Sequence, residues 1–121
     1  MAYEVYYFLD HRKRNPVKEF VISLPRNERT KYFAHLTALS HEGPNLRRPM
    51  ADYLGNGIYE LRPKSNRIFY FFFLKDKIIF LHAIKKKTDK IPKGDLAICQ
   101  RRKVTVEVYQ KLEKAEIRED I

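Results

Sequence analysis

Three apolar stretches with period-two alternation, separated by breaks of only two residues, constrain this chain more than any other feature. Residues 58–64, 67–74 and 77–85 are each rich in β-branched and aromatic side chains. Alternation of this kind marks strands with two distinct faces. The breaks, Ser65-Asn66 and Lys75-Asp76, are too short for anything but turns between antiparallel neighbours, so the three stretches predict a meander.

The remaining elements follow from local signals. Residues 3–9 read as a first strand. Asn15-Pro16 suits a helix start, because Asn can cap exposed amides and Pro fits the first helical position. Val17, Phe20, Val21 and Leu24 then fall on one helix face, and Pro25 stops the run. A second helix is expected over 26–41, with Tyr32, Phe33, Leu36, Ala38 and Leu39 on its apolar side. Gly and Pro punctuate 42–57, which predicts a loop. After Pro92 a last helix is expected over about 93–114, carrying Leu96, Ala97, Val104, Val108 and Leu112, with a break near Thr105-Val106 and a tail beyond. Without repeats or linkers, residues 1–121 read as one domain. The order strand, helix, helix, three strands, helix predicts an α+β fold with an antiparallel-rich sheet and its helices packed on one face. The other face is then expected to stay open.

Strand parity assigns side chains to those faces. Tyr59 and Leu61 should meet the helices, with Glu60 and Arg62 pointing outward. Arg67 shares parity with Phe69, Phe71 and Phe73, which puts these rings on the open side. In the third strand Ile79, Leu81 and Ala83 are expected inward, and Phe80, His82 and Ile84 outward, with Lys86 following beside His82.

Charge narrows the range of functions. The chain has 25 Lys and Arg against 15 Asp and Glu, a formal net of +10 with a pI near 9.8. An excess of this size favours a polyanionic partner, nucleic acid above all. The basic residues cluster: residues 11–31 carry seven against two acidic, and residues 85–103 carry eight against two, while 107–121 is net acidic. No stretch of about 18 apolar residues occurs, which excludes a membrane-spanning helix. The first residues lack a basic segment leading into an apolar core, so the expected compartment is the cytoplasm. A lone cysteine, Cys99, rules out an internal disulfide framework and a cysteine zinc cage. His11, His35 and His41 have no metal-like spacing.

On the outward parity Glu60, Arg62, Arg67, His82 and Lys86 form one constellation, with Lys87 close by. Cleavage of RNA by its own 2′-hydroxyl needs a base for that hydroxyl, cations for the charge developing at phosphorus, and an acid for the departing 5′-oxygen. Preplaced Arg and Lys usually supply the largest share, and acid–base help adds roughly 10²–10⁴-fold. That route needs no cofactor or metal. Lys85 to Lys87 and Lys90, at the end of the third strand, suit phosphate contact.

Several segments together carry a resemblance: 15–20 (NPVKEF), 43–46 (GPNL), 54–62 (LGNGIYELR), 67–71 (RIFYF), 81–88 (LHAIKKKT) with Pro92 after it, and Arg101-Arg102. In this order and spacing the chain resembles the phage-derived HigB-like branch of the RelE/ParE toxin superfamily, over about residues 4–103. The resemblance implies a RelE-like fold and a type II toxin neutralised by a HigA-like helix-turn-helix antitoxin. It also implies metal-independent endoribonuclease action on mRNA, often at the ribosome, with operator DNA reached only through the antitoxin and no membrane partner. The matching catalytic positions are Arg62, Arg67, Lys86 and Lys87, with His82 as candidate acid. Glu60, Lys85, Thr88, Lys90, Arg101 and Arg102 are expected to contact RNA. Where many relatives carry an aromatic residue this chain has Ile84, and Tyr109 lies too far along the last helix to be assigned a role. Two other readings stand beside this one: a ParE-like toxin directed at DNA gyrase, and a nucleic-acid-binding module without catalysis.

Overall fold

The meander forms the middle of a six-stranded mixed sheet in the computed structural model of the chain, which describes residues 2–117. Its elements are β1 (Glu4–Phe8), α1 (Pro16–Ile22), α2 (Arg26–Glu42), a 3-10 turn (Gly43–Asn45), β2 (Ala51–Gly55), β3 (Ile58–Leu61), β4 (Asn66–Phe73), β5 (Lys77–Lys85), α3 (Lys93–Tyr109) and β6 (Leu112–Lys114). The strand order is β2-β3-β4-β5-β1-β6. β1 lies parallel to β5, and the other pairings are antiparallel. The helix start at Asn15-Pro16 forms as its sequence dictates, with the Asn15 side chain accepting from the Lys18 amide.

β2 occupies the segment expected to be loop. Asn56 and Gly57, both at positive φ, close a two-residue turn that folds β2 back onto β3. Asn-Gly is the strongest short hairpin signal, here hidden among neighbouring glycines and prolines. The last helix ends at Tyr109 rather than near 114, runs unbroken through Thr105 and Val106, and gives way to β6 against β1. Residues 118–121, the end of the expected tail, lie outside the described residues.

The helices do not share one face. Tyr32, Leu36 and Leu39 of α2 and Val17 and Val21 of α1 pack with Leu61, Ile68, Tyr70, Ile78 and Phe80 on one side of the sheet. On the other, Cys99 and Val106 of α3 cover Ile58, Phe69, Phe71, Ile79 and Leu81. The face expected to be open is therefore the floor of a second core. The phenylalanine stripe explains why: a contiguous apolar surface of that size is driven out of water. Val104 and Val108, two of the apolar residues carried by the last helix, are 57% and 64% exposed.

A bulge accounts for the other departure. Between β4 and β5, Phe69 opposes His82 while Tyr70 opposes Phe80, leaving Leu81 without a partner. A bulge puts two successive side chains on one face. Ile79 and Leu81 therefore lie under α3 and Phe80 under α1 and α2, the reverse of the expected parity. Beyond the bulge His82 and Ile84 are on the side expected for them, now beneath α3.

Gly43 ends α2 at φ 54, and a Cβ there would run into the Tyr3 ring. Gly43→Ala is expected to lower stability by more than about 1 kcal/mol. Gly94→Ala, whose added Cβ would meet nothing within 4 Å beyond its chain neighbours and its own helix backbone, should raise it by about 0.5–1 kcal/mol. Urea unfolding midpoints check both.

Candidate functional site

Glu60 of β3 is buried, which a carboxylate tolerates only beside cations. Arg62, two residues on and on the same face, donates from Nη1 to Glu60 Oε2 at 3.0 Å. Arg67, at the start of β4, brings its Nε to 3.9 Å from Glu60 Oε1, an ion-pair distance too long for a hydrogen bond. Its Nη1 donates to the carbonyls of Lys64 at 2.9 Å and Asn66 at 2.7 Å, so the turn between β3 and β4 holds the guanidinium in place. Burial, with Arg62 nearby, lowers the Arg67 pKa against the opposing pull of Glu60. The guanidinium stays charged at neutral pH regardless. Glu60 Oε1 is left buried with no hydrogen-bond partner among the described residues.

Glu60 also lines a pocket of about 190 Å³, together with Arg48, Arg62, Arg67, Lys86, Asp89 and Ile91. Four cations face two carboxylates, so the pocket keeps a positive excess. Lys86 arrives from the end of β5, its amide donating to Ser65 O at 2.7 Å and its Nζ lying 3.3 Å from Asp89. Arg48 comes from the loop before β2, steadied by Asp52, which accepts from its Nε at 3.1 Å and Nη2 at 2.7 Å. A second pocket, of about 410 Å³, is lined by Ile84, Lys85, Lys86, Lys87, Thr88, Lys90, Ile91, Pro92 and Asp95. The two pockets share Lys86 and Ile91. Lys85 is tied back to α2, donating to Glu28 at 2.6 Å, and this bond, with that from Asn66, lowers the Glu28 pKa.

His82 lines neither pocket. Its Nε2 is 2.8 Å from Asp95 Oδ1, and its Nδ1 is 3.4 Å from Arg102 Nη1, which also donates to Leu81 O at 2.9 Å. The ring stacks on Phe69, centroids 5.9 Å apart. Burial pushes the His82 pKa down, with the Asp95 bond opposing. A neutral ring that donates from Nε2 to Asp95 and accepts at Nδ1 from Arg102 satisfies every contact. His82 thereby fixes Asp95 at the rim of the larger pocket.

Of the residues singled out from the sequence, Glu60, Arg62, Arg67 and Lys86 thus meet in one pocket. Lys85, Lys87, Thr88 and Lys90 line the adjoining one, again with Lys86. Arg102 lies over the Phe8 ring, 5.0 Å from its centroid, and Arg101 is exposed on α3; neither lines a pocket. The cations gather at the end of the sheet where β3, β4 and β5 meet, not across an uncovered surface. Arg48, Asp89 and Ile91 escape the sequence reading because they sit in irregular segments, where strand parity says nothing about direction.

His82 is expected to titrate below its ordinary value of 6.5. A histidine with a depressed folded pKa contributes its full stability above the unfolded value and loses it as pH falls from there through the folded value. Burial lowers His35 too, so both act in the same window. Histidine ring NMR titration should give a His82 midpoint below 6.5, with urea midpoints falling as the pH drops past that value.

Among the described residues no helix is long and apolar enough to cross a membrane. No curated protein is significantly similar in sequence. A family model described as phage-derived protein Gp49-like (DUF891) matches residues 19–104, from α1 into α3 and across every residue of both pockets. The chain therefore belongs to the phage-derived Gp49-like family, which is related to RelE-type toxin proteins.

Proposed function

We propose that the protein is the toxin of a type II toxin–antitoxin pair and acts as an endoribonuclease on mRNA, at the ribosome, to stop growth. The observation that carries this reading is the convergence of four cations, Arg48, Arg62, Arg67 and Lys86, on one pocket that the Glu60 carboxylate also lines. In the reaction the scissile phosphate sits among Arg62, Arg67 and Lys86, with Arg48 at the margin. The Glu60 carboxylate takes the proton of the neighbouring 2′-hydroxyl. The resulting alkoxide attacks phosphorus, the bond to the 5′-oxygen breaks, and the products are a 2′,3′-cyclic phosphate and a 5′-hydroxyl. Lys86 gives the leaving oxygen its proton, since a guanidinium does not deprotonate. Arg62 and Arg67 are held before substrate arrives, so little reorganisation opposes the charge they stabilise.

Glu60, expected from the sequence only to touch RNA, becomes the base. His82, the candidate acid, becomes a positioning residue behind Asp95. Lys87 and Lys90 guide the strand toward the pocket. The partner is a HigA-like helix-turn-helix antitoxin; the net charge of +10 suits an acidic masking segment.

Induction of the chain without an antitoxin, followed by primer-extension mapping of transcripts, tests the reading. Wild type should arrest growth, cut transcripts and leave DNA whole. Arg62→Ala and Lys86→Ala should each slow cleavage of purified RNA by roughly 10²–10³-fold, and Glu60→Gln by roughly 10²–10⁴-fold. Because the buried Arg67 also holds the β3–β4 turn through the Lys64 and Asn66 carbonyls, Arg67→Lys is the variant for that position. Broken DNA with intact transcripts would indicate a gyrase-directed toxin instead. Salt-sensitive RNA binding without product would leave a binding module.

A further inference from the structure

The larger pocket is built unlike its neighbour. Its cations, Lys87 and Lys90 among them, stand with a wall of Ile84, Ile91 and Pro92, and Asp95 is its single carboxylate. An apolar wall offers nothing to a phosphate but suits the face of a flat ring. At about 410 Å³ against about 190 Å³ it is also the roomier of the two. Asp95 enters it in a fixed pose, its Oδ1 held by His82 at 2.8 Å, and its other oxygen has no hydrogen bond among the described residues. An ionised carboxylate only accepts hydrogen bonds.

We infer that this pocket seats a nucleobase next to the scissile phosphate and that Asp95 selects a base bearing an exocyclic amino group. This rests on reading the Arg62–Arg67–Lys86 pocket as the seat of an RNA phosphate. The continuity through Lys86 and Ile91 then places the base beside that phosphate. Adenine, cytosine and guanine each present an amino donor to a carboxylate. Uracil presents a lone N–H between two carbonyl oxygens, which a carboxylate repels. The lysines are complementary to the backbone of the same strand and bind any sequence, so discrimination falls to Asp95. His82 and Arg102, remote from the phosphate, act here through Asp95: they hold the selector in place.

Binding of AMP, CMP, GMP, UMP and ribose 5-phosphate to the full chain, followed by isotope-edited NMR, tests this without relying on cleavage. The three amino-bearing nucleotides should bind roughly tenfold more tightly than UMP or ribose 5-phosphate. Their additional amide shifts should fall within residues 84–95. Asp95→Asn, whose amide can also donate to uracil, should shrink the gap, and purified RNA should then be cut more evenly beside uridine. Equal binding of UMP and AMP, or base-dependent shifts elsewhere, would overturn the inference even if wild type cleaves RNA. Discrimination by a wild-type protein that cuts no RNA supports the pocket and removes the nuclease reading.

Discussion

A carboxylate buried between two guanidiniums organises this molecule. Glu60 is on a central strand with its side chain 6% exposed, where an isolated negative charge could not persist. Arg62 supplies one counter-charge from just past the end of that strand and Arg67 the other from the start of the next. Because the turn carbonyls of Lys64 and Asn66 also hold Arg67, the charge cluster and the β3–β4 turn depend on each other. Taking away one member of such a cluster leaves an uncompensated buried charge and typically costs about 3–5 kcal/mol. The same arrangement puts Glu60 in the lining of a cationic pocket, so what stabilises the sheet end also shapes the site.

The two cores on opposite faces determine where that pocket can be. With α1 and α2 on one side and α3 on the other, the strands are covered along most of their length. What stays accessible is the end where β3 leaves, β4 begins and β5 runs into the segment before α3. Lys86 and its neighbours are delivered there by β5, and Arg48 by the loop before β2. α3 starts beside the larger pocket and carries Asp95 into its first turn, where the helix dipole favours a carboxylate. The family match spans this whole arrangement.

Much of the architecture was legible because its determinants are local. The Asn15 cap, the stop at Pro25, the meander and its short turns each depend on a few adjacent residues. Parity in β3 and the first half of β4 was readable for the same reason, and it placed Glu60, Arg62 and Arg67 together. Apart from the β2–β3 hairpin, the illegible features depend on partners distant in sequence. The bulge opposite Phe69 and Tyr70 exists only in the β4–β5 pairing, so parity along β5 alone gave Phe80 and Leu81 the wrong faces. The last helix was expected but its place on the far face was not legible, since Cys99 and Val106, not the exposed Val104 and Val108, make the contact. Burial there pushes the Cys99 thiol pKa up to about 12, the behaviour of a small apolar residue.

The unpaired Leu81 works as a phase-setter for everything downstream of it. Strict alternation from Ile78 onward would turn His82 and Ile84 toward α1 and α2, away from α3. The Asp95 brace would then have no imidazole to grip, and the strand would hand its lysine-rich continuation to the opposite side of the sheet. One surplus residue thus decides which layer of the domain receives the basic segment, and its loss by deletion would re-address that segment without altering a single charge.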